Sequence, residues 1–399
     1  MKGAESLAHE LLDGIYIKGV KPLIMEEEEY AYIKDPVFGI KRNRVVAETL
    51  KAIVRLDLEK NERIIEKLCR YLVKTQNTDG SWNEVHPSYN QPSALITSIV
   101  GEALLVCHKR FASDGLEKCV HLAKDFVLSM EKSPGYFLKS KQYKADHLNV
   151  DATCGAFLAS YGKFFSDECC VRAVNRAAKH ICDYQFSDGS FPYTVSKGDS
   201  AYLLDVPCIH YQGVTIYYLS KIDEVIAEKW LHDSLISGVE WLSKTQMGDG
   251  RFDWSKSGLM FSYYLSGAYA FAFSSFIYVS RWDKKYLENA RLCLEVLKNN
   301  TCDLCLRWEK GSWMTFPLSF PISLKTALIG CYPFKHKLFR LGYGLYRQMA
   351  RRRYSTRIDD RFFRVLTNVL NQKTSTIESF SNFPDLFMTT EVMDCISCS

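Results

Sequence analysis

Gln76-Asn77-Thr78-Asp79-Gly80-Ser81-Trp82 decides the fold, because the pattern returns twice. Gln185-Phe186-Ser187-Asp188-Gly189-Ser190-Phe191 and Gln246-Met247-Gly248-Asp249-Gly250-Arg251-Phe252 repeat it as Q-x-x-D-G-x-[W/F]. Two eroded copies fill the gaps, Glu131-Lys132-Ser133-Pro134-Gly135-Tyr136-Phe137 and Gly311-Ser312-Trp313 after Arg307. The glycines fall at 80, 135, 189, 250 and 311, a spacing of about 55 to 60 residues that marks one supersecondary unit per repeat.

Every unit reads the same way. An amphipathic helix comes first, as in 62–75 (ERIIEKLCRYLVKT), with apolar residues at helical spacing and charges between them. The Asp-Gly turn ends it, since glycine accepts the positive φ that closes a helix. A more apolar helix follows, as in 93–107 (SALITSIVGEALLVC). A charged helix outside and an apolar one inside, repeated, describe two concentric rings. Residues 42–56 (RNRVVAETLKAIVRL), after a first N-terminal helix, supply a sixth hairpin. The expectation is an all-α chain folded as an (α/α)6 toroid. Residues 1–60 complete the ring, 61–335 carry the repeats, 336–372 form a basic helical extension, and 373–399 are a flexible tail. A chain of 399 residues would otherwise suggest two or three domains.

The repeated Q-x-x-D-G-x-W resembles the QW repeats of terpenoid cyclases and of protein prenyltransferase β subunits, over about residues 60–330. A second likeness is local. Asn149-Val150-Asp151-Ala152-Thr153-Cys154 resembles the D-x-D-D-T-A element of class II terpene cyclases, with Asp151 on the middle acid. The first and third acids are replaced by Asn149 and Ala152. The resemblance implies a single-toroid cyclase in which Asp151 protonates an alkene or epoxide of a polyprenyl substrate. Asn149 stands beside it, and His210 or His147 orients it. Such an acid needs an apolar pocket that keeps it protonated. Aromatic faces then stabilise the carbocation, and Trp254, Phe261, Tyr263, Tyr264, Tyr269, Phe271, Phe273, Trp313 and Phe316 are the candidate wall. The implied partner is a hydrophobic isoprenoid, with no metal or organic cofactor.

Other readings of the same residues stand beside this one. Asp at the start of a helix serves as an ordinary N-cap. Closely similar toroids occur among carbohydrate lyases, epimerases and hydrolases, so the fold does not select the chemistry. For a uronate-containing glycan, the acid/base and charge-neutralising set is Asn90, His147, Asp151, His210, Tyr211 and Tyr263, with Tyr89 near them. A catalytically silent binding toroid is the third reading.

Composition narrows the field further. The chain is 47% hydrophobic and 24% charged, which excludes disordered and low-complexity classes. A net charge of +5 over this length does not call for nucleic acid. No P-loop, GxGxxG, GxSxG or HExxH pattern is present. The N-terminus lacks an apolar signal region, and 14 cysteines in so long a chain fit a reducing cytoplasm. The CxxC pairs Cys302/Cys305 and Cys395/Cys398 offer four thiolates for zinc, and Asp205, Cys208 and His210 offer a crowded prenyltransferase-like set. The uncharged run 257–280 is rich in Ser, Tyr and Gly, and reads as a helix buried inside the protein. Arginines and aromatics concentrate in 335–364, a composition suited to peripheral contact with an anionic membrane.

Overall fold

The computed structural model describes residues 2–300 and 386–398, apart from 35–39, 87–88, 112, 197, 199–204, 254–255 and 258–264. Helices α1 (Lys2–Ile15), α3 (Leu58–Lys74), α5 (Asp114–Ser129), α7 (Glu168–Asp183), α9 (Lys229–Thr245) and α11 (Tyr286–Asn300) form the outer layer. The inner ones are α2 (Asn43–Leu56), α4 (Ala94–Phe111), α6 (Leu148–Phe165), α8 (Ile209–Ile226), α10 (Leu265–Val279) and α12 (Leu386–Ser397). Helix α2 packs on α4, and α4, α6, α8, α10 and α12 follow in turn, until α12 returns to α2. The ring closes. The (α/α)6 toroid read from the sequence is the fold.

Sequence pattern explains the two layers. Outer α7 buries only Cys170, Ala173, Val174, Ala177, Ala178 and Ile181, the stripe expected of a helix with one wet face. Its start is set by Asp167, whose carboxylate accepts the backbone N–H groups of Cys169 and Cys170. Inner α6 buries residues on every side, from Leu148 through Ala159. Helix α10, from the uncharged run, is likewise buried along its length from Ala268 to Phe276.

The repeat motif ties each outer helix to the next. Gln76 Nε2 donates to Gly80 O across its own turn, and to Cys119 O of the next outer helix. Gln185 reaches Ser234 O and Gln246 reaches Asn289 O in the same way. Asp79 and Asp188 accept the N–H two residues on, from Ser81 and Ser190. Gly80 has φ +85°, and a Cβ there would stand 2.3 Å from Leu122 O. The turn therefore lies directly against the neighbouring helix, and only glycine fits.

Short antiparallel hairpins lie at the end of the ring where the inner helices begin. They are β1–β2 (Ile24–Glu26, Ala31–Ile33), β3–β4 (Trp82–His86, Tyr89–Ser93) and β5–β6 (Glu131–Ser133, Tyr136–Phe137). Strand β7 (Asp146–His147) pairs with β8 (Thr194–Ser196).

One expectation needs revision. Residues 386–397, inside the segment read as a flexible tail, are the sixth inner helix. Their polar side chains meet the neighbouring inner helix α2: Arg44 pairs with Glu391 at 2.5 Å, and Lys51 with Asp394 at 2.5 Å. Lys51 is fully buried and also meets Glu102 at 3.3 Å. Those partners lie far upstream, so locally the segment looked merely polar. Among the described residues, no helix is long and apolar enough to cross a membrane. The eroded copy at Gly311 and the basic stretch 335–364 lie outside the described residues.

Candidate functional site

At the hairpin end of the ring, a cavity of about 120 Å³ opens among the inner-helix N-termini. Asn149, Val150 and Thr153 of α6, His210, Tyr211 and Val214 of α8, and Leu95 and Ile99 of α4 line it. Glu84, Lys139, Tyr143, His147 and Tyr193 come from the hairpins and loops, with Tyr218 and Phe271 deeper on α8 and α10. Arg44 of α2 and Glu391 of α12 complete the wall.

His147 is the N-cap residue of α6 and is buried. Its Nε2 lies 3.1 Å from the Tyr143 hydroxyl. Tyr143 stacks on the ring at 5.3 Å between centroids, and Tyr193 meets it edge-on at 4.6 Å. Burial, with a smaller push from the Lys139 ammonium, drives the imidazolium pKa down to about 3, so the ring is neutral near pH 7. The aromatic chain continues from Tyr193 to Tyr211 at 4.3 Å, from Tyr211 to His210 at 4.9 Å, and from His210 to Phe271 at 5.5 Å. His147 Nδ1 and Asn149 Oδ1 are buried and have no hydrogen-bond partner among the described residues. A buried polar atom without a partner is costly, so both are natural contacts for a polar ligand.

The two carboxylates of the cavity are engaged. Glu84 pairs with Lys139 at 2.9 Å and Glu391 with Arg44 at 2.5 Å. Together these groups make a wall of hydrogen-bonding and charged side chains interleaved with ring faces.

Asp151 is elsewhere. It follows Asn149 on α6 but turns to the outer ring, and its Oδ1 accepts the Phe137 N–H at 2.6 Å. This contact has a counterpart in each described repeat. The N–H of the motif aromatic goes to a side chain near the start of the following inner helix. Trp82 donates to Thr97 Oγ1 at 2.9 Å, Phe191 to Gln212 Oε1 at 2.7 Å, and Phe252 to the Tyr269 hydroxyl at 3.2 Å. Asp151 and Tyr269 thus hold hairpins to helices, and neither lines the cavity.

Of the residues singled out from sequence, His147, Asn149, His210, Tyr211 and Phe271 converge, and Phe273 is buried away from the cavity. Asn90 is exposed on β4, and Tyr89 pairs with His86 in the same hairpin. Trp254, Phe261, Tyr263, Tyr264, Trp313 and Phe316 lie outside the described residues, as do Cys302 and Cys305. Cys395 is buried in α12, with Cys398 exposed at its end. Asp205, Cys208 and His210 do not form a metal-ligand cluster among the described residues.

Sequence reading missed Arg44, Glu84, Lys139, Tyr143, Tyr193 and Glu391. A signal for three of them exists. Glu84, Lys139 and Tyr193 each stand two residues after a motif aromatic, and the period-2 alternation of an extended chain returns that position to one side.

No protein-family model and no curated protein sequence matches the chain. Solved structures match in fold. Cellobiose 2-epimerase from Bacillus thermoamylovorans superposes with a TM-score of 0.58 at 11% identity, covering 77% of this chain and 92% of its own. A D-mannose isomerase gives 0.57 at 13% identity, covering 74% and 86%. An inactive α-1,6-mannanase variant from Salegentibacter sp., in complex with α-1,6-mannotriose, gives 0.56 at 10% identity, covering 75% and 88%.

The terpenoid expectation is therefore corrected. The toroids similar in fold are named for sugar chemistry. The cavity is polar and charged rather than a closed apolar chamber suited to an isoprenoid. Asp151 turns away from it, and the Q-x-x-D-G-x-W motif is a structural tie to the neighbouring helices, which any toroid chemistry can use.

Proposed function

We propose that this toroid is a carbohydrate-active enzyme that holds a sugar unit in the mouth cavity. The observation carrying this reading is the open pair His147 Nδ1 and Asn149 Oδ1, buried beside His210 within a belt of tyrosines. Sugars offer hydroxyls to such polar atoms and apolar C–H faces to such rings. The names of the similar toroids agree with it.

Proton transfer at a sugar carbon, as in epimerisation or aldose–ketose isomerisation, suits the cavity better than hydrolysis. Hydrolysis of a glycosidic bond ordinarily uses two carboxyl groups, one of them a protonated acid. Here both carboxylates are tied to cations, whereas two imidazoles stand on adjacent inner helices. His147 and His210 would exchange the proton, one as base and one as acid.

The test is incubation with a panel of aldoses and disaccharides in D2O, read by NMR. Deuterium appearing on a sugar carbon is expected, with kcat/KM falling about 10²- to 10⁴-fold in His147→Ala and in His210→Ala. Release of reducing ends without carbon-bound deuterium would transfer the site to hydrolysis. Failure of every sugar to bind or react would overturn the reading.

A further inference from the structure

Asp151 makes its tie with a carboxyl group where its counterparts use a hydroxyl or an amide. Thr97, Gln212 and Tyr269 accept the equivalent N–H through a hydroxyl or an amide. A fully buried carboxylate is an expensive substitute. Moreover, only Oδ1 is used for the tie, and Oδ2 makes no hydrogen bond. A second buried carboxylate, Asp146 of β7, stands beside it with its own Oδ1 without a hydrogen bond. His180 of α7 completes the group: its Nε2 lies 3.1 Å from Asp146 Oδ2 and 3.8 Å from Asp151 Oδ2.

One ligand atom from each of the three residues lies within 4.8 Å of the other two. Around a tetrahedral ion at zinc distances, ligand atoms sit about 3.3 Å apart, so small side-chain rotations suffice to close the set. Charge points the same way. Two buried carboxylates carry two negative charges, and an imidazolium returns at most one. A divalent ion neutralises both carboxylates.

We propose that Asp146, Asp151 and His180 form a binding site for a divalent cation of the zinc class. One nitrogen and two oxygen donors fit zinc better than calcium or magnesium, which take oxygen ligands. The His180 side chain is 15% exposed, which provides a solvent-facing side for entry of the ion and for a water as fourth ligand. None of the three residues lines the mouth cavity, so the site stands apart from the sugar reading. Its ion links inner α6, outer α7 and strand β7, and thereby braces His147, which follows Asp146 in the chain.

The experiment uses the full chain, stripped with EDTA and titrated with ZnCl2 by calorimetry, alongside thermal melts and X-ray absorption of the loaded protein. One zinc per chain, a Tm raised by several degrees and an oxygen/nitrogen-only coordination shell are expected. His180→Ala and Asp146→Asn, shown folded by circular dichroism, should each weaken binding at least tenfold. A Cys302→Ser/Cys305→Ser/Cys395→Ser/Cys398→Ser variant should bind as the parent does. Absence of zinc binding by the parent, sulfur in the coordination shell, or binding unchanged in both ligand variants would overturn the site.

Discussion

Glu131 and Arg176 are joined by two hydrogen bonds, from Arg176 Nε at 2.8 Å and Nη2 at 2.5 Å, which fasten the second repeat to outer helix α7. The other described repeats make this connection with a glutamine amide and a backbone carbonyl. Glu131 also accepts the Gly135 N–H at 2.9 Å, closing its own turn as the glutamines do. The eroded motif therefore keeps the connection and changes its chemistry from amide to ion pair.

Because Glu131 serves both the turn and the next helix, Glu131→Ala should destabilise the fold by about 1 to 2 kcal/mol, the paired guanidinium being partly exposed. Glu131→Gln retains an acceptor for Gly135 and should cost less than half as much. Urea denaturation of the two variants measures the difference. Equal losses would show that the Gly135 bond contributes nothing.

Gly189 has φ +91°, and a Cβ there would stand 2.1 Å from Ser237 O of α9. Gly189→Ala must move a helix as well as strain a turn, so a loss above about 2 kcal/mol is expected. Gly248 makes a control within the third motif, since a Cβ there meets nothing within 4 Å. Gly248→Ala should leave the Tm within about two degrees of the parent.

Asp394 joins the C-terminal helix to the ring through Lys51 at 2.5 Å and Arg55 at 3.3 Å. Removing one member of a buried ionic group strands the others, so Asp394→Ala should cost about 3 to 5 kcal/mol. Deleting residues 386–399 removes an entire inner helix and leaves α2 and α10 without their shared neighbour. That truncated chain should fail to give a cooperative melt. A sharp transition near the parent Tm would refute the role assigned to α12.

Glu102 supplies a pH test of the same interior. Burial alone would raise its carboxyl pKa, but the Lys221 and Lys51 ammonium groups outweigh burial and hold it well below the usual range. A folded-state pKa below the unfolded one means that the unfolded chain takes up protons first on acidification. Its stabilising contribution is thus complete above the unfolded value near about 4.3 and declines as pH falls below it. Glu102→Gln should be less stable at pH 7 by about 3 kcal/mol and show a shallower loss between about pH 4.5 and 2. Parallel stability curves for the two proteins would contradict the ion-pair assignment.

The toroid was legible because its information is local and periodic. A helix with one apolar stripe, an Asp-Gly turn and a helix apolar all round recur at nearly constant spacing, and each copy states the same burial pattern. His147, Asn149, His210 and Tyr211 were legible for a related reason: the start of an inner helix must face the mouth wherever the repeat places it. Asp151 shows where that reasoning stops. Two residues after Asn149 on the same helix, it faces the opposite way, since successive helical residues turn by about 100°.

Only the tertiary structure decided how the ring closes and what lines its mouth. Arg44 and Glu391 meet from 347 residues apart, and no local periodicity can encode that pairing. The polar stripe of α12 reads as surface until Arg44, Lys51 and Arg55 of the neighbouring inner helix α2 are seen against it. The spare oxygens of Asp146 and Asp151 likewise gain meaning only when an outer helix brings His180 between them. Local sequence thus determined the repeating hairpin and its two faces. Packing across the ring determined which polar groups share a cavity, because burial and charge pairing depend on neighbours that the chain supplies from far away.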